Sequence, residues 1–518
     1  MNIDIIHYSF SLNLSDTANS IKGRAVITFT VKKDNINKLR LDLIKRDAGG
    51  KGMSVVTIES NGKTLVYSHE SDVLLITLPS TKANTEQTIT IVYEGIPKDG
   101  LAIGNNKYGD RCFFSDNWPN KARNWLPTVD HPYDKATSEF MVTAPVKYQV
   151  VSNGLKVEES NTGTGMRMTH WKQSVPISCW LFVLGVSEFA VQYVDTFDGK
   201  SIQTWVFKQD RDAGFFDFAT PTKQVLGFFS DYIGPYAYEK LANIQSHSSG
   251  GGMEAASAIM YNENSVVGNR DVRWRDVVIH ELAHQWFGNA VTEADWDDVW
   301  LSEGFATYFT MRFIKHQYGE DAFIKELVSS RKNVLKMSAS DEDYHIVHNN
   351  LSDMAKVTNG LTYQKGAWFL NMLCNYIGEE SFQKGIRDYY RRFFNGNAVT
   401  ADLRMAFERS SGKDLTAFFN QWLYQGGNPK LKGSWRYNAK DKTIEVELQQ
   451  LQPEKYNFDM PLEIGIQSTG KNREQIKVVS LNKRKMMISI PSPTAPTSVR
   501  LDPDTKLLAE WDFTQAAK

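Results

Sequence analysis

The residues in this chain best suited to chemistry stand in the stretch "VVIHELAHQWFGNA", residues 277–290. His280 and His284 are four apart, so on a helix both imidazoles share one face and can present ring nitrogens to a single ion. Glu281 is rotated by about one residue's turn from that face. It is poorly placed to share the ion but can reach a water beside it. A catalytic zinc takes three protein ligands and keeps a fourth position open, so a further donor is required. "DDVWLSEGFATYF" supplies Glu303, nineteen residues after His284, at the start of another predicted helix. A glutamate there is also favourable against the helix dipole alone, but Glu303 lies among Trp300, Leu301, Phe305 and Tyr308, the composition of a packed helix.

The elements that must position these residues fall into three regions. From residue 5 to about 195 the pattern has period two. "HYSFSLNL", "GRAVITFTVKK", "VLLITLP", "QTITIVYEG" and "MVTAPVKYQVVSNG" read as short strands parted by Asn-Gly, Gly and Pro turns. From about 200 the pattern turns helical. "AGFFDFATPTKQVLGFFSDYIG", "VRWRDVVIHELAHQWFG", "LSEGFATYFTMRFIKHQYG" and "YQKGAWFLNMLCNYIG" carry 3.6-residue spacing and stop at glycine. After "QWLYQGGNPK" strands return in "SWRYNAKDKTIEVELQQ", "NFDMPLEIGIQST", "EQIKVVSLN", "KMMISIP" and "SVRLDPDTKLLAEWDF". The expectation is a multidomain α+β protein with an all-β domain over 1–196, a mainly α domain over 197–430 and a β-sandwich over 431–518.

Composition narrows the partners. The chain has 518 residues, 41% hydrophobic, with 59 Lys+Arg against 60 Asp+Glu and a net charge of −1. That balance argues against a nucleic-acid groove or an anionic membrane surface. The longest apolar run, "CWLFVLGV", is too short to span a bilayer. The opening residues "MNIDIIHYSFSLNLS" alternate like a strand and lack a signal peptide's basic start and apolar centre. The address stays open: cytoplasmic as the sequence is written, or exported if a leader has been removed. Three free thiols are the expected state of Cys112, Cys179 and Cys374, with a Cys112–Cys179 bridge as the alternative.

The run "HELAHQWFGNAVTEADWDDVWLSEGFATYF", H-E-x-x-H followed by eighteen residues and a glutamate, closely resembles the zinc aminopeptidases related to aminopeptidase N and leukotriene hydrolase. The resemblance covers nearly the whole chain, its three regions corresponding in order to that family's saddle, thermolysin-like and sandwich domains. The large helical C-terminal domain of longer members has no counterpart here. The resemblance implies one zinc ion held by His280, His284 and Glu303, with Glu281 as general base.

Further stretches carry it onward. "GGGMEAAS", residues 250–257, resembles the family's G-x-M-E-N motif, which implies substrate contacts at Gly252 and Met253 and makes Glu254 the group that binds a free α-ammonium. "LTYQKGAWF" resembles the Tyr-x-Lys-Gly segment, making Tyr363 the donor to the tetrahedral oxyanion. Two departures stand out. Ala255 replaces the motif's Asn. In "FFSDNWPNKARNWLPTVDHP", anchored on Ala122, Arg123 and Pro127, Asp116 falls at the family's Gln and Trp118 at its amine-binding Glu or Gln. Asp116 is expected to join Glu254 on the ammonium; the alternative is a turn cap.

The implied activity is removal of single residues from peptides with a free N-terminus, by a monomer. An epoxide-hydrolysing relative like leukotriene hydrolase and a zinc-less scaffold are the rivals. A scaffold has no use for the intact set His280, Glu281, His284, Glu303 and Tyr363.

Overall fold

The computed structural model describes residues 2–79, 81–163, 165–468 and 474–516. It divides into two compact units, Met1–Trp296 with Tyr390–Val399, and Asp297–Tyr389 with Thr400–Lys518.

The first unit begins with an eight-stranded sheet. Its order is Leu155–Asn161, Met166–Ser178, Lys135–Pro145, Ile3–Asn13, Ile21–Val31, Glu86–Ile96, Gly52–Ser60 and Lys63–Thr64. Strand Ile21–Val31 shows why it forms: Ile21, Ala25, Ile27, Phe29 and Val31 face the core, with Lys22 and Arg24 turned to solvent. All pairings are antiparallel except that of Ile3–Asn13 with Lys135–Pro145. A four-stranded sheet (Gln149–Ser152, Leu184–Ser187, Arg111–Ser115, Leu101–Asn105) and a three-stranded one (Lys38–Asp42, Val73–Thr77, Tyr67–Glu70) complete this β-rich part. Cys112, Cys179 and Cys374 are free and buried, so the thiols are unbridged as expected.

The same unit continues into a five-stranded sheet that periodicity does not announce. Its order is Phe189–Phe197, Lys200–Phe207, Lys240–Ser246, Ala258–Asn262 and Gly252–Met253. Helix α1 (Arg211–Tyr232) connects the parallel strands Lys200–Phe207 and Lys240–Ser246. All seven residues of Lys240–Ser246 are buried. Lys240, Asn243, Gln245 and Ser246 are polar yet buried, so polarity does not alternate with exposure and the strand leaves no clean period-two signal. The middle of the chain is helical, but it opens on this sheet. Helix α2 (Val272–His284) follows, its first turn capped by the Asp271 side chain, which accepts from the Arg273 and Trp274 amides.

In the second unit, α3 (Trp300–Tyr318), α4 (Glu320–Ser338) and α5 (Gly360–Ile377) precede the C-terminal strands. Helices α3 and α5 cross at Gly304 and Gly366, where a Cβ on Gly304 would stand 3.0 Å from the Gly366 Cα. Only glycine permits that approach. The C-terminal strands form two sheets, Lys485–Pro491, Thr443–Gln450, Lys430–Asn438, Glu510–Gln515 and Gln475–Leu481, Met460–Ser468, Pro496–Leu501. "SWRYNAKDKTIEVELQQ" and "SVRLDPDTKLLAEWDF" each hold parts of two strands, the latter parted at Asp502 and Thr505, both with positive φ. Thr469, the end of "NFDMPLEIGIQST", lies outside the described residues. Among the described residues no helix is long and apolar enough to cross a membrane.

Candidate active site

In the first unit the C-terminal part of α2 brings His280, Glu281 and His284 together. His280 Nε2 and His284 Nε2 lie 3.1 Å apart with ring planes 84° apart. His284 Nδ1 is 3.2 Å from the Phe287 carbonyl, which can only accept. The Nδ1 therefore carries the proton in the neutral ring, and the Nε2 lone pair points toward His280. Backbone anchoring of the far nitrogen is the usual way a metal-ligating histidine is oriented. The 3.1 Å separation is close to the edge, about 3.3 Å, of a tetrahedron with metal–nitrogen bonds of about 2.0–2.1 Å.

Two carboxylates join His284. Glu254, Glu281 and His284 offer ligand atoms that all lie within 4.8 Å of one another, and all three residues are buried. Glu254 and Glu281 are each only 6% exposed. Two desolvated carboxylates packed together repel unless a cation or a proton balances them, so the donor set suits a metal ion and an incoming ammonium. The charge on Glu281, second to burial itself, helps to hold the Tyr261 hydroxyl well above its ordinary pKa. Of the three glycines 250–252 this site requires only Gly252, where a Cβ would collide with the Glu281 carboxylate. Gly252 and Met253 form the outer strand of the five-stranded sheet, antiparallel to Ala258–Asn262, and deliver Glu254 directly after it.

In the second unit the glycine crossing of α3 and α5 brings Tyr363 to Glu303. The Tyr363 hydroxyl donates to Glu303 Oε1 at 2.9 Å. Glu303 is buried and Tyr363 half-buried. Asn359 and Thr362 form a capping box that fixes the start of α5 at Gly360, three residues before Tyr363.

Asp116 is not part of the Glu254–Glu281–His284 cluster. Its Oδ1 accepts from the Trp118 amide at 3.3 Å, a local turn contact. Burial pushes its carboxyl pKa up, against the pull of Lys121 and the Trp118 amide. The adjacent Ser115 carbonyl accepts from Ser248 Oγ at 3.1 Å, which ties this turn to the loop leading into Glu254. Trp118 stacks edge-on against Trp180 and Trp296, with centroids 5.0 and 4.9 Å away.

Sequence reasoning missed the residues that hold Glu254 in place. Gln285 and Asn289, wholly buried, both donate to the Glu254 carbonyl. Lys240 donates to the Ser152 and Ser257 carbonyls, and burial lowers its pKa to about 7. The available signal was a pair of amides flanking the otherwise apolar "WFG" after His284.

Residues 5–181 match the Peptidase M1 N-terminal domain, and residues 218–422 match the Peptidase family M1 domain. The chain is 32% identical over 343 residues to the glutamyl aminopeptidase of Rattus norvegicus, covering 63% of this chain and 36% of that protein. It is 30% identical over 332 residues to the glutamyl aminopeptidase of Homo sapiens, covering 61% and 34%. With the alanine/arginine aminopeptidase of Saccharomyces cerevisiae it shares 27% over 459 residues, covering 83% and 52%. The chain thus spans about a third to a half of the length of these curated relatives. The chain belongs to the M1 family of peptidases.

Proposed function

We propose that this chain is a zinc-dependent aminopeptidase that removes single residues from peptides with a free N-terminus. The observation that carries the reading is the buried convergence of Glu254 and Glu281 on His284, with His280 Nε2 facing His284 Nε2. On this reading Glu254 takes the ammonium, Glu281 is the general base, and His280 and His284 are two of the metal ligands. Relatives named for aminopeptidase activity support it over the epoxide-hydrolase and scaffold alternatives.

In this reading His280, His284 and Glu303 hold one zinc ion, Glu303 being assigned from its spacing in the sequence. Zinc held there supplies Lewis acidity and makes water acidic near neutral pH. Glu281 takes the proton of the attacking water and returns it to the leaving amine. Tyr363, held on Glu303 between turnovers, turns its hydroxyl to the oxyanion. Glu254, with Gly252 and Met253 beside it, binds the substrate's terminal residue, and Asp116 adds a second carboxylate for the ammonium. The three domains are proposed to be the saddle over 1–196, the thermolysin-like domain over 197–430 and the sandwich over 431–518.

The test is metal analysis combined with a panel of single-amino-acid amides, free and N-acetylated. One zinc per chain, loss of activity on chelation and strong preference for the free amine are expected. A metal-free chain that still hydrolyses the amides would overturn the reading. The panel also reads the side-chain preference, on which the relatives' names differ.

A further inference from the structure

The segment Glu254–Ser257 has its main chain held by side chains from elsewhere. Gln285 Nε2 and Asn289 Nδ2 donate to the Glu254 carbonyl at 2.9 and 2.5 Å. Gln285 Oε1 accepts from the Ser257 amide at 3.0 Å. Asn153 Nδ2 donates to the Ala256 carbonyl at 2.7 Å, and Lys240 Nζ to the Ser257 carbonyl at 3.1 Å. All four of these side chains are buried. Ala255 has no polar group with which to do this from inside the segment. Ser257 sits at a φ of 64°, a conformation that persists only where its surroundings enforce it.

Gln285 and Asn289 lie on the turn that continues α2. That turn also supplies the Phe287 carbonyl on which the His284 ring rests, and the Asn289 amide donates to the His284 carbonyl at 3.1 Å. One turn therefore fixes both the His284 ring and the Glu254 main chain. The 3.9 Å between His284 Nδ1 and Glu254 Oε1 is a property of that turn, not of two independent loops.

We propose that Gln285 and Asn289 are positioning residues that set the register of cleavage, clamping Glu254 so that only the first peptide bond reaches the hydrolytic centre. The inference rests on the aminopeptidase reading. Consecutive residues advance the chain by about 3.8 Å from Cα to Cα. A carboxylate held firmly discriminates between ammonium groups one residue apart. A carboxylate free to drift by a large part of that distance does not.

The test uses the full zinc-loaded chain with Gln285→Met and Asn289→Ala, singly and combined, with zinc content measured in each. Three substrates carry the same reporter: an amino-acid amide, a dipeptide amide and the N-acetylated amino-acid amide. The expected result is a KM on the free amino-acid amide raised about tenfold, as for loss of an oriented hydrogen-bonding group, with kcat little changed. Release of intact dipeptide should rise relative to release of single residues, and the N-acetylated substrate should be unaffected. Asn289→Ser, which keeps a donor, should recover part of the loss. Equal losses on all three substrates, or an unchanged product ratio in folded, zinc-loaded variants, would overturn the proposal.

Should the variants not fold, hydrogen exchange in the unaltered chain still decides. The Ser257 amide should exchange as slowly as the core of the five-stranded sheet, and exchange at an open loop's rate would refute the clamp. An unaltered chain that cuts neither free-amine substrate would instead refute the aminopeptidase reading, and the register proposal with it.

Discussion

Two turns of the first unit are rich in polar and aromatic residues and use them in opposite ways. In the turn after α2, "QWFGN", the two amides reach across to Glu254, some thirty residues earlier in the chain. In the turn after strand Arg111–Ser115, "DNWPN", Asp116 accepts from its own neighbour Trp118, while Asn117 donates to Phe182 and accepts from Trp125. The first turn sends its side-chain hydrogen bonds to the main chain of Glu254 and Ser257. In the second, Asp116 bonds within the turn and Asn117 ties it to the Phe182 main chain and the Trp125 ring. Residues within a helix inherit positions from its period, so the shared face of His280 and His284 follows from spacing. A turn carboxylate has local amides within reach and needs no distant partner to be satisfied.

The largest effect expected on the α2 side is that of Glu281→Gln. The amide keeps the shape and cannot take a proton, so zinc content should be unchanged while kcat falls by about 10²–10⁴-fold, the range for a general base. Full activity in that variant would remove the mechanism. Tyr363→Phe comes next. It deletes one hydroxyl and, with it, the contact to Glu303. The expected loss is about 10²–10³-fold in kcat, as for other single oxyanion donors, with folding and zinc content intact. A change confined to KM would mean that Tyr363 only binds substrate.

The same contrast explains what could be read in advance. His280, Glu281 and His284 were legible because a helix turns their spacing into geometry, and the N-terminal strands because one face of each is wet. Strand Lys240–Ser246 was not, since burial on both faces erases alternation. Nor were Gln285 and Asn289, because an amide's partner is set by tertiary packing. Gly304 and Gly366 look like ordinary helix interruptions until the crossing of α3 and α5 shows that they bring Tyr363 to Glu303. Asp116 was assigned by register against a family motif, a form of evidence that fixes a position in the chain but not the direction of a side chain.

Asp116→Asn separates the two uses of a turn. Asparagine keeps an oxygen to accept from the Trp118 amide, so the turn is preserved and only the charge is lost. Burial raises the Asp116 pKa in the folded chain, with Asp99 adding to it. A carboxyl whose native pKa lies above its unfolded value, about 3.9 for aspartate, favours folding while protonated and loses that advantage as pH rises through the native value. The Asn variant should therefore be more heat-stable than the unaltered chain at neutral pH, with the difference shrinking as pH falls toward 3. If Asp116 also reads the ammonium, kcat/KM on free-amine substrates should drop by about 1.5–3 kcal/mol, the value of a hydrogen bond to a charged group. N-acetylated substrates should change much less. A variant that gains stability and keeps its preference for free amines would assign the Asp116 carboxylate wholly to its own turn, and leave Glu254 as the carboxylate that selects the N-terminus.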